Sequence, residues 1–331
     1  ETLRMNVRLP VRLMREPGLS VDTTGELSGR VRYNGDMQAI AAYLPPVLQT
    51  IEGVLTANFT LGGTLQDPDL SGSAQLKDGA YTEIESGFSL AGLHAEAEAS
   101  YGAGASDVTI KGGARGAGQS GGDTIVFTGS VQFGETSAVD FTVDFDDAAL
   151  SAHPVNEVRA SGQLNLSGAF DDLKADGDIN IDELNAQIIA PESTGLVDIE
   201  VVALEDGAGP PEDLTQSPPD NRLDFEIRVK ADDRIFIRGR GLESEWSADV
   251  RAIDGDEQPV ILGSVDLRRG WLDFSGRRFD LTRGAIEFDR QQENNPRLDI
   301  RAELNAGDGV TAAIVVSGRA SDPSIELTST P

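Results

Sequence analysis

From Leu223 to Lys230 apolar and charged side chains alternate without a break: Leu223, Phe225, Ile227 and Val229 fall on one parity, and Asp224, Glu226, Arg228 and Lys230 on the other. A β-strand has a side-chain period of two, so this run puts a greasy surface on one side of a sheet and charge on the opposite side. The same alternation recurs along the chain. Met5, Val7, Leu9, Val11 and Leu13 begin it, with Pro10 marking an edge or irregular strand. Further strands are expected at Leu27 to Tyr33, Leu55 to Leu61, Ser73 to Leu76, Leu93 to Ala99, Val108 to Ile110, Ile125 to Phe127 and Val131 to Phe133. Others follow at Val139 to Phe145, Leu164 to Leu166, Ile179 to Ile181 and Val197 to Val201.

One segment breaks the period. Met37, Ile40, Ala41 and Leu44 fall at helical spacing, after Asn34 as an N-cap and before Pro45-Pro46 as a stop, which predicts one short helix near 36–44. An acidic stretch rich in Pro and Gly, 205–221, divides the chain into a repeat-like segment 1–204 and a second segment 222–331. It reads equally as a linker or as a long loop leaving a continuous sheet. A weak repeat supports continuity: Gly63 to Gly72, Ser167 to Gly177 and Ser317 to Ile325 each join a Gly-containing strand to another through an Asp-bearing turn. A turn about every ten residues predicts about twenty to twenty-five strands and a sheet on the order of 100 Å across. The fold class expected is all-β, one long antiparallel or mixed sheet, curled and folded lengthwise into a trough with an apolar interior.

Charge narrows the choice of partner. Against 27 Lys and Arg stand 56 Asp and Glu, for a net charge of −29, which repels nucleic acid and anionic surfaces over most of the molecule. Residues 222–301 are nearly neutral, with 15 basic and 17 acidic side chains. The absence of cysteine removes disulfides, thiolate nucleophiles and cysteine-ligated zinc. No run approaches the roughly 18 apolar residues of a membrane span, and a first residue that is not Met fits a piece of something longer.

The motifs that imitate chemistry lack their context. Gly118-Gln119-Ser120-Gly121-Gly122 has the spacing of a nucleophile elbow, and Gly116, Gly118 and Gly121 that of a dinucleotide fingerprint. Both need a helix to follow, yet Asp123 to Phe127 reads as a strand, so a Gly-Ser turn is the better account. His94 and His153 lie in unrelated segments without a nucleophile beside them. Asp178, Asn180 and Asp182 begin like a calcium loop but lack its glycine and terminal glutamate. Arg268, Arg269, Arg277, Arg278 and Arg283 are interleaved with carboxylates, as on a solvated strand face. No catalytic residue, metal site or cofactor is assigned, and the chain reads as a non-enzyme.

Ile235-Phe236-Ile237-Arg238-Gly239-Arg240-Gly241-Leu242-Glu243-Ser244-Glu245-Trp246 resembles a signature of the TamB family, the inner-membrane component of the bacterial translocation and assembly module. Leu262 to Gly270, Phe279 to Phe288 and Val315 to Leu327 resemble the family's following stretches. The resemblance covers roughly residues 222–331. It implies a β-taco, a groove-forming sheet in the periplasm of a diderm bacterium, tied to the inner membrane through an N-terminal anchor that this chain lacks. It also implies an Omp85-type outer-membrane barrel of the TamA kind as partner, and roles in phospholipid passage and outer-membrane assembly.

In that light the apolar parity of segment 222–331 is the candidate lipid-binding groove: Leu223, Phe225, Ile227, Val229, Ile235, Ile237, Leu272, Phe274, Phe279, Leu281, Ile286, Phe288, Leu298, Ile300, Ile314 and Val316. Taking each from water is worth roughly 1.5 to 3 kcal/mol, so leaving all of them wet costs tens of kcal/mol. Either two walls close as a dry sandwich or phospholipid acyl chains cover the surface. The rival from another class is a scaffold that offers strand edges to outer-membrane β-proteins.

Overall fold

Nineteen strands account for almost all of the residues described in the computed structural model: 2–13, 19–21, 23–39, 50–83, 88–102, 105–133, 137–153, 156–188, 222–255, 258–290, 294–307 and 309–330. In chain order they are β1 (Thr2–Arg8), β2 (Val11–Leu13), β3 (Leu19–Val21), β4 (Ser28–Asp36), β5 (Glu52–Gly63), β6 (Pro68–Thr82), β7 (Ser89–Gly102), β8 (Ala105–Gly116), β9 (Ile125–Gln132) and β10 (Ala138–His153). They continue as β11 (Asn156–Ala169), β12 (Asp172–Gln187), β13 (Arg222–Gly239), β14 (Leu242–Ile253), β15 (Val260–Phe274), β16 (Arg277–Phe288), β17 (Arg297–Gly307), β18 (Val310–Arg319) and β19 (Asp322–Thr330). β2 and β3 form a small hairpin of their own, and the other strands make one 17-stranded sheet.

The sheet is a ladder in which chain order is spatial order. β1 pairs with β4, and from β4 onward each strand pairs with the next through to β19. All pairings are antiparallel except β12 with β13, which run parallel from Asp172↔Arg222 to Gln187↔Arg238. Tight turns explain much of the antiparallel order. Arg240-Gly241 and Ser275-Gly276 have positive φ at both positions (53°, 85° and 55°, 71°), the backbone that matches the twist of a two-residue hairpin.

A seam of register shifts crosses the ladder. Shifts fall at Glu52/Val54, Leu76/Gly79, Ala91/His94, Phe145/Ala148, Asn180/Leu184, Ala231/Ile235, Glu245/Trp246 and Leu281/Arg283, so successive strands are bulged in neighbouring places. A bulge adds a residue to one strand, kinks it locally and raises its twist. Polar side chains tie the seam together: Arg159 pairs with Asp147, Arg234 with Glu183 at 2.5 Å, and Arg268 donates to the Asp232 carbonyl at 2.8 and 3.1 Å. Many of the best-buried apolar residues flank it on the other face, among them Leu76, Leu93, Ala114, Ile125, Ala148, Ala160, Ala231 and Trp246.

Three expectations are corrected. Among the described residues seventeen strands build the sheet rather than twenty or more, because strands run to as many as 18 residues and the readings at 125–127 and 131–133 merge into β9; the ladder is then roughly 80 Å across. The lengthwise curl into a trough is not present: the sheet is one open layer, and its strands make their extensive contacts with ladder neighbours. The short helix near 36–44 is not found among the described residues. Asn34 to Asp36 continue β4 opposite Thr56 to Val54, and 37–39 make a single 3₁₀ turn, so pairing overrides the local period; 40–44 lie outside the described residues. The strand expected at 197–201 and the segment 205–221 also lie outside them.

Candidate functional site

Directly opposed residues of neighbouring strands point to the same face of a sheet, so the registers decide whether the sixteen apolar residues meet. Leu223, Phe225, Ile227 and Val229 lie opposite Leu173, Ala175, Gly177 and Ile179 on β12. On the other side Ile227 and Val229 face Ala252 and Val250, and beyond the bulge Ile235 faces Trp246 and Ile237 faces Ser244. Leu242 on β14 opposes Leu272, which opposes Phe279, and Phe274 follows Leu272 on the same side. Gly263 and Val265 carry the face to Phe288 and Ile286, and Leu281 meets Ala302. Ile286 then opposes Leu298, Ile300 opposes Val316, and Ala302 opposes Ile314. All sixteen share one face.

The same face runs on through the first segment, beyond the residues singled out from the sequence. One row of opposed residues passes Leu3, Tyr33, Ala57, Ala74, Ala97, Ile110, Gly129, Phe141, Leu166 and Ala175 before reaching Phe225. The period of two was the available signal there, weakened by the many Ala and Gly positions. Trp246 was also missed, because Ser244 interrupts the apolar parity on its strand. It is 4% exposed, packs among Leu184, Leu267, Ile286 and Ile300, and donates from Nε1 to Ser244 Oγ at 2.8 Å.

Burial along the face is partial. Ile235, Phe279 and Ile314 are buried, Leu223 (46% exposed) and Phe274 (48%) are exposed, and the other eleven of the sixteen are half-buried. Neighbours within the sheet cover their flanks. A sandwich would bury most such residues under a second sheet about 10 Å away, and among the described residues no second layer lies over this one.

The opposite face is a lattice of ion pairs. Arg228 bonds Asp249 at 2.9 and 3.1 Å, Arg251 pairs with Glu226 at 3.0 Å, Lys111 with Glu96 at 3.2 Å, and Arg283 with Asp299 at 2.7 Å. The hydrogen bonds from Arg228 hold the Asp249 carboxyl below its ordinary pKa, the bond from Lys111 does the same for Glu96, and that from Asn185, with help from Arg234, lowers Glu183. Of the arginines noted in the sequence, Arg269 pairs with Glu245, and Arg278 lies 4.0 Å from the Trp271 ring centre while pairing with Asp280.

The imitative motifs resolve into ordinary structure. Gly118 to Gly122 lie in the loop between β8 and β9, His94 contacts Asp123 at 3.5 Å, and His153 closes β10. Asp178 and Asn180 stand opposite Arg228 and Lys230, and Asp182 accepts from Ser161 Oγ at 2.6 Å. Among the described residues no cluster of potential metal ligands occurs, and no helix is long and apolar enough to cross a membrane.

A family model for the TamB C-terminal domain matches residues 114–331, from the end of β8 through β19. The chain belongs to the TamB family. No curated protein matches it. The TamB match takes in both sides of the parallel β12–β13 junction and the whole of the sixteen-residue face, and TamB-family proteins are not enzymes.

Proposed function

We propose that this TamB-family chain carries phospholipid acyl chains on its apolar face between the inner and outer membranes, in support of outer-membrane assembly. The observation behind this reading is one apolar surface, continuous across 17 strands and largely half-buried, with a charged surface behind it. Eleven half-buried and two exposed groove residues leave on the order of 10 kcal/mol of apolar burial for a ligand to complete. Acyl chains suit a surface with few polar groups on it, because they ask for no directional bonds and slide between equivalent positions. The chain would work in the periplasm with an Omp85-type barrel of the TamA kind at the outer membrane, as the periplasmic part of an inner-membrane-anchored protein.

The test places a photoreactive amino acid at Phe225, Ile300 or, on the charged face, Arg251. Lipid captured at the first two and not at the third is the expected result. Equal capture on both faces, or none in a chain that functions in cells, overturns the reading.

A second reading has its own observation. All nine residues of β19 are exposed, with Ile325 at 68% and Leu327 at 72%, so its outer backbone groups are open to another strand. On that reading the chain is a scaffold that pairs with outer-membrane β-proteins or the barrel by strand addition. Proline within β19 would then stop function while Ile300→Asp would not.

A further inference from the structure

Arginine faces arginine at several places on the charged side of the sheet, and like charges in direct opposition are destabilising. Arg228 opposes Arg251, and Arg283 opposes Arg301. In both pairs diagonal carboxylates neutralise the repulsion: Asp249 and Glu226 for the first, Asp299 and Glu303 for the second, at 2.5 to 3.0 Å. Arg4 opposes Arg32 on β1 and β4 in the same way, but the diagonal positions are Thr2, Asn6, Arg30 and Asn34. Arg8 lies further along the same side of β1, and β5 presents Asn58 and Thr60 opposite Arg32 and Arg30. Four exposed arginines therefore gather without an ion pair among the described residues, on a chain of net charge −29.

The surface there is a shallow depression of about 520 Å³ lined by Arg4, Asn6, Arg8, Ser28, Arg30 and Arg32 together with Met5 and Gly29, beside a second of about 310 Å³ that shares Arg4 and Arg32 and adds Thr2, Tyr33, Asn34, Thr56 and Asn58. We infer that this patch binds phosphate groups, borne by a lipid head group or by a soluble phosphate, which supply the anions that carboxylates supply elsewhere on this face. Guanidinium forks pair with phosphate oxygens through two parallel hydrogen bonds, and the amides and hydroxyls around them add donors. The arginines extend roughly 14 Å along β1, enough for more than one phosphate. A protein partner is the weaker fit, since interfaces are anchored by several buried aromatic or aliphatic side chains and the lining here offers only Met5 and Tyr33 among Arg, Asn, Ser, Thr and Gly. This site lies on the side away from the proposed acyl path and stands or falls independently of it.

The test compares the full chain with the Arg4→Gln/Arg32→Gln and Arg8→Gln/Arg30→Gln pairs. Inorganic phosphate, against chloride at matched ionic strength, should raise the melting temperature of the parent and not of either variant. Vesicles of phosphatidylcholine with phosphatidylglycerol should float the parent at low salt, and bind each variant about twenty-five-fold more weakly, from roughly fivefold per arginine. Response to phosphate with no flotation supports the site and assigns it to soluble phosphate; flotation beyond that of phosphatidylcholine vesicles assigns it to lipid. Parent and variants behaving alike in both arms overturns the inference, as does an Asp/Glu-rich peptide binding the parent where neither phosphate source does.

Discussion

At single positions the face is smoothed by glycine beneath aromatic rings. Gly129 on β9 lies opposite Phe141, and a Cβ there would fall within the Phe141 ring; Phe141 in turn stacks on Phe127 at 6.5 Å. Gly129→Ala should destabilise by about 1 to 3 kcal/mol through overpacking, whereas Gly122→Ala, with open space around it, should stay within about 0.5 kcal/mol. Denaturant unfolding of the two variants checks both. Trp246 is the reverse case, a large ring covered by its neighbours and reaching Gly284 on β16. Trp246→Ala should cost about 3 to 5 kcal/mol in the same measurement. Neither glycine nor tryptophan stood out in the sequence as a packing pair, since the partners are twelve and thirty-eight residues apart and only the register brings them together.

Between elements, the charged face predicts a response to acid. Asp249, Glu96 and Glu183 titrate below their ordinary values in the folded chain, so their pairs favour folding above the unfolded pKa near 4 to 4.5 and lose that contribution as pH falls through the lowered folded values. Thermal melts should therefore fall below about pH 4, and Asp249→Asn should flatten the decline; Asp249 and Glu96 are exposed and Glu183 is half-buried, so salt should shrink the effect. Strand existence was largely legible at this scale because alternation is a local signal. Strand ends were less so, and the described start of the expected short helix is strand and turn instead, because Asn34 to Asp36 gain backbone partners in β5 that local spacing does not reveal. The parallel β12–β13 joint was equally hidden, because direction depends on pairing across 34 intervening residues.

Taken whole, the molecule presents opposite chemistries on its two sides, and that polarity was legible because a period of two fixes which side chains agree. The common face of the sixteen candidate residues was legible from parity; its continuation through β1 to β12 was not, as Ala and Gly carry the row there. What parity does not determine is closure, and the expected curl gave way to an open layer because one buried parity serves a trough, a sandwich and a single sheet alike. Leu223→Asp should leave far-UV circular dichroism and the melting temperature close to the parent, since Leu223 is 46% exposed, while lipid crosslinking at Phe225 drops. Loss of fold instead would mean the face is sealed.

Most strands make their extensive contacts with the one before and the one after, though β10 also reaches β8 and β7, so among the described residues few distant contacts fix how many strands there must be. Removing β5 and β6 together leaves β4 and β7 antiparallel and able to join. The span would then shrink by about 10 Å with every other register kept. Such a sheet is a ruler graduated in hairpins, whose reach lengthens or shortens by whole divisions.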